Sequence, residues 1–235
     1  WVAVLQMTFP EDEGMSGQRK ALYEAVYASG NAAQRQLAAN ALASIAIQED
    51  RTEDARRYLE ETEGRTEDAA LLRIQLEQKT GENDKALEEI QKQLYRAVSQ
   101  ALQMLMMLMQ TKEDAREALE IAKIYRRVEA IFAVGGGMSA GLLMQQYMVM
   151  GRKKEALACL TQMVDALVGK PMTPNPLLFN PTFKPKADWR DAGRELRTAL
   201  LRGLKEDETL SSLRGEKEYE DAVERLEESL KNGRA

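Results

Sequence analysis

The chain has 235 residues, 44% of them apolar and 30% charged, with a formal net charge of −5. That balance describes a soluble globular chain able to bury a core as one elongated array or two small domains, and it excludes a disordered bias. One cysteine and no histidine exclude an intrachain disulfide, a zinc site built from several cysteines, and any triad or general base that depends on imidazole.

Acidic and basic residues are interspersed, with no block of Lys or Arg. A duplex-binding surface needs a concentrated positive footprint, so this segment is not expected to grip nucleic acid itself. The first residue is Trp1 rather than Met, and an upstream segment is therefore expected. Pro10 and the acidic Glu11–Asp12–Glu13 argue against a signal peptide, so the expected compartment is the cytoplasm.

Proline maps the chain. None falls between Pro10 and Pro171, and five then fall from Pro171 to Pro185. The proline-free run is rich in Ala, Leu, Glu, Gln, Lys and Arg, with apolar residues recurring at three and four, which predicts helices throughout and no sheet. Gly30, Gly64, Gly81 and Gly151 are candidate left-handed caps. Thr52, Thr66 and Thr111 open related Thr–Glu–Asp–Ala segments and are candidate N-caps, with acids where the helix dipole is positive. No breaker interrupts Lys85 to Met109, which reads as one long helix or two that abut.

The longest uncharged stretch, Ala130 to Gly151, contains Gly135, Gly136, Gly137 and the Gln145–Gln146 pair. It is too polar and broken for a membrane span, and reads as two helices meeting at the glycines. These glycines superficially match a phosphate-cradling loop, but no strand precedes them and the Lys-Ser/Thr pair is absent. Arg152 to Val168 presents Ala156, Leu157, Leu160, Met163, Val164 and Leu167 on one face, ended by Gly169. The last helix repeats the device with Tyr219, Ala222, Val223, Leu226 and Leu230. Cys159 falls on the apolar side and reads as an inert core thiol.

Ala55, Ala86, Ala115 and Ala156 occupy equivalent early positions of second helices. Five residues before each stand Asp50, Gly81, Gln110 and Gly151; twelve before stand Ala43, Ile74, Gln103 and Met144; four after stand Leu59, Ile90, Leu119 and Leu160. This pattern resembles the tetratricopeptide repeat, in which small residues let paired helices approach and larger ones fill the seam. The anchors are 31, 29 and 41 residues apart rather than about 34, and the early Trp and late Pro are missing, so the repeats are degenerate. The resemblance implies an all-α fold, a tetratricopeptide-like right-handed array of antiparallel helix pairs (an α-solenoid). Residues 1–169 would form the degenerate repeats, and residues 170–235 a proline-rich loop and C-terminal capping helices of the same array.

From Ser139 to Leu230 the chain runs through Glu155-Ala156-Leu157-Ala158-Cys159-Leu160, the loop Pro174-Asn175-Pro176-Leu177-Leu178-Phe179-Asn180, and Leu213-Arg214-Gly215-Glu216-Lys217-Glu218-Tyr219. This stretch resembles the tail of bacterial Cro-type (XRE) helix-turn-helix regulators that carry a tetratricopeptide-like C-terminal domain. The resemblance implies a ligand- or peptide-sensing or dimerisation domain whose helix-turn-helix lies upstream of Trp1. The partner would be a peptide, a protein or a second copy, with DNA reached only through a domain absent from this chain. The alternative is a stand-alone helical-repeat scaffold for protein–protein interaction. No catalytic, cofactor-binding or metal-ligating residue is expected, and no enzyme.

In such arrays the first helix of each pair lines the concave face, which here implies contacts from Asn40, Ser44, Gln100, Met104, Met107, Gln145 and Met148. Amides beside methionines suit an extended peptide; a solvated or dimer-facing surface is the other reading. The methionines Met104, Met106, Met107, Met109, Met138, Met144, Met148 and Met150 either fill an irregular core, the favoured reading, or line an adaptable groove. The loop from Lys170 to Lys186 could bind a partner, though prolines between helices need no function.

Overall fold

The structure is a computed structural model describing residues 13–60, 67–169, 173–183 and 189–232, and of 13–16, 67, 189–192 and 232 the backbone alone. Among the described residues there are helices and turns and no strand. They are α1 (Glu13–Ser29), α2 (Ala32–Gln48), α3 (Thr52–Glu60), α4 (Glu67–Lys79), α5 (Asn83–Gln110), α6 (Ala115–Phe132), α7 (Met138–Val149), α8 (Lys153–Val168), α9 (Trp189–Glu206), a 3₁₀ turn (Glu208–Leu213) and α10 (Lys217–Asn232). None is long and apolar enough to cross a membrane, within the residues described. Two compact units part between Gln93 and Leu94, inside α5. Lys85 to Met109 is thus one unbroken helix.

In the first unit α2 packs against α1, α3 and α4. Its buried face carries Ala38, Ala39, Ala43 and Ala46 beside Leu42 and Ile47. Alanine lets neighbouring backbones approach closely and costs no side-chain entropy in a helix. Tyr58 and Leu59 fill the seam that the alanines open. The free carbonyls at helix C-termini find cations: Lys79 donates to Ile47 O at 2.5 Å, and Arg73 to Leu59 O at 2.9 Å.

The second unit gathers Val98, Leu102 and Met109 of α5 with Ala118, Leu119, Ala122 and Tyr125 of α6, and with the apolar faces of α7, α8 and α10. α7 packs on both α6 and α8, and α10 packs on α8 and α9. Leu157, Leu160 and Val164 of α8, with Tyr219 and Leu226 of α10, are buried as the spacing predicts. Cys159 is buried among them, and burial pushes its thiol up in pKa, which suits an inert core group.

The repeat offsets fare unevenly. Ala43, Ala55 and Leu59, like Met144, Ala156 and Leu160, are buried, and the turns at Asp50, Gly81 and Gly151 adopt positive φ. In the middle the pattern breaks down: Ile90 and Gln103 are exposed. Both lie on α5, whose buried residues Val98, Leu102 and Met109 join the core of the second unit.

Several caps differ from expectation. Gly30 is not left-handed, because Asn31 starts the next helix immediately through a reciprocal capping box with Gln34. Thr52 is already helical, and Thr111 turns back to donate to Leu108 O at 2.7 Å while Asp114 caps α6. Gly64 and Thr66 lie outside the described residues.

Candidate interaction surface

The glycine-rich junction resolves first. Helix α6 ends at Phe132 with Ala133 left-handed at φ 51, and Gly135, Gly136 and Gly137 all take positive φ before α7 begins. Glu129, on the last turn of α6, is buried and accepts from Gly137 N at 3.0 Å and Ser139 N at 3.2 Å. The loop does cradle an anion at a helix N-terminus, but the anion is the chain's own carboxylate. A Cβ at position 135 would stand 2.7 Å from Glu129 Oε1, so the glycine is required by close approach. The expected helix-to-helix turn is what the structure contains.

The proline-rich loop is anchored to the same corner. Asn175 donates its backbone N–H to Phe132 O at 3.1 Å and its side-chain amide to Ile131 O at 2.8 Å, satisfying the C-terminal carbonyls of α6. Phe179 is buried, edge-on to Tyr95 and 5.2 Å from Phe183 by ring centroid. Leu177, at the loop tip, is 91% exposed.

The methionines divide. Met109 and Met144 are buried, and Met106, Met148 and Met150 pack against the core. Met104, Met107 and Met138 face outward. The seven expected contact residues divide as well. Asn40 and half-buried Ser44 are one turn apart on α2 in the first unit, with Asn40 in the interior. Gln145 is exposed and Met148 half-buried on α7 in the second unit. The three on α5 share one outward face: Gln100 is exposed, Met104 is 67% exposed and Met107 57%.

That face is larger than the repeat offsets indicated. Ala97, Ala101, Gln103 and Leu108 are also exposed, and from Ala97 to Thr111 there is no charged residue. In a chain that is 30% charged, solvated helix faces normally carry Glu, Lys and Arg. The missing charge was the legible signal, and it names residues the offsets omitted. By contrast, α8 and α10 flank a cleft of about 410 Å³ lined by Thr161, Glu218, Asp221, Ala222, Glu224, Arg225 and Glu228. Arg225 is held by Asp165 at 2.5 Å, and four carboxylates against that one guanidinium make the cleft acidic.

Compared with protein-family models, with curated proteins and with solved structures, the chain matches none.

Proposed function

We propose that the chain is a non-catalytic contact module, the regulatory part of a cytoplasmic bacterial DNA-binding regulator. The helix-turn-helix of that regulator would stand upstream of Trp1. The observation that carries the reading is the outward face of α5, where Gln100, Met104, Met107 and Leu108 stand exposed in a stretch without charge. Methionine adapts to a partner's shape, and glutamine supplies donors and acceptors without a desolvated charge. The link to transcription draws on the resemblance of Ser139 to Leu230 to the tail of Cro-type regulators. The right-handed ordering of helix pairs and the repeat identity belong to the same reading.

The test is DNA binding by the intact natural polypeptide at low salt, with salt dependence recorded. The reading expects binding that weakens steeply as salt rises. No binding at low salt would contradict the link to transcription and leave a free-standing scaffold that uses the same face.

A further inference from the structure

We infer that the outward face of α5 docks a second copy of this chain, antiparallel, with Ala101 of each copy against Met104 of the other. The inference rests on the reading of this face as a contact surface and names its occupant. Ala97, Ala101, Met104 and Leu108 are spaced four, three and four residues apart, which keeps them in one seam along a partner helix. Their sizes are ordered small, small, large, large. Ala97 and Leu108 are equidistant from a point between Leu102 and Gln103, and so are Ala101 and Met104. A two-fold axis at that point therefore sets each alanine opposite a long apolar side chain, and each knob finds room beside a methyl group.

Charge favours the same occupant. A two-fold contact brings like residues together, and like charges across it oppose association. The seam holds none, and its nearest charge, Arg96, lies six and a half residues from the axis. The two Arg96 side chains would thus stand about 20 Å apart along the helices at the usual rise per residue. The acidic cleft between α8 and α10 has the opposite character, since two copies meeting there would juxtapose Glu218, Asp221, Glu224 and Glu228. The seam from Ala97 to Leu108 is about three turns of helix, so the contact is small, of the weak and reversible class.

The test is sedimentation equilibrium of the whole chain over a concentration series, with Ala101→Glu, Met104→Lys and an equimolar mixture of the two variants. Both positions are exposed, and circular dichroism verifies that each variant is folded. The wild type is expected to rise from 26.4 kDa toward twice that mass. Each variant alone should associate at least about tenfold more weakly, and the mixture should recover the dimer because the introduced carboxylate of one variant then meets the introduced ammonium of the other across the seam. A wild type monomeric throughout, or variants that associate unchanged, would overturn the inference; a mixture that stays monomeric would overturn the antiparallel register. The proposed link to transcription fails separately, if the intact natural polypeptide binds no DNA at low salt while the wild-type chain still dimerises.

Discussion

Glu129 closes the N-terminus of the following helix by accepting from Ser139 N at 3.2 Å, ten residues further along the chain. A buried carboxylate is costly unless it is hydrogen-bonded, and free N–H groups at a helix start are costly unless they find an acceptor. Each group here removes the other's penalty. Glu129→Ala strands both Gly137 N and Ser139 N, and should cost about 2–4 kcal/mol, on the scale of charged buried hydrogen bonds. Urea unfolding measures it, and a loss under about 0.5 kcal/mol would show that water replaces the carboxylate at little cost.

Backbone conformation makes a prediction of opposite signs. Ala133 sits at φ 51 without need of its side chain for the turn, whereas Gly151 sits at φ 68 with open space around its Cα. Ala133→Gly should stabilise, and Gly151→Ala destabilise, each by about 1 kcal/mol, the usual penalty for an L residue in the left-handed region. Thermal melts of both variants test this, and a change of the same sign in each would refute it.

Two carboxylates in the first unit should respond oppositely to pH. The Lys85 ammonium and the Arg56 guanidinium hold Glu82 down to about 2. Its pairing therefore stabilises the fold fully above the ordinary carboxylate range and is lost as pH falls toward 2. Burial, with Glu89 and Glu82 nearby, pushes Glu77 up, so ionised Glu77 opposes folding at neutral pH and ceases to do so in acid. Glu82→Gln should lower the melting temperature at pH ~7 and do so progressively less as pH falls toward ~2, while Glu77→Gln should raise it at pH ~7. Melts across that range decide the matter, and parallel shifts for the two variants would count against the assignment.

Core positions follow from burial. Leu160 is fully buried where α8 meets the apolar cluster, and Leu160→Ala should cost about 2–5 kcal/mol. Leu177→Ala, at the exposed loop tip, should fall within about 0.5 kcal/mol of wild type. Equal losses in chemical denaturation would mean that the loop tip is covered.

Much of this was legible because helix periodicity is local. The faces of α8 and α10, the glycine break after Phe132 and the close seam at Ala43, Ala55 and Leu59 follow from spacing and residue size alone. The middle of the chain is less legible, for a physical reason. Periodicity places residues on faces but does not say which face a neighbour covers, and on α5 the covered face carries Val98, Leu102 and Met109. Gln103, given a packing role by its offset, therefore points outward. Asn40, placed on a binding face by the same arithmetic, is buried. Capping was least legible, because Asp114 could displace Thr111 and a distant Glu129 could serve α7, and neither choice is visible in a short window.

The most direct test of the contact face is carbon-13 methyl spectroscopy of methionine in the intact chain, across a concentration series and with a soluble paramagnetic agent. Met104 and Met107 are expected to shift and to lose exposure to the agent as concentration rises, while Met109 and Met144, already buried, stay fixed. Met104 and Met107 methyls that remain unshifted and equally accessible at every concentration would contradict the account.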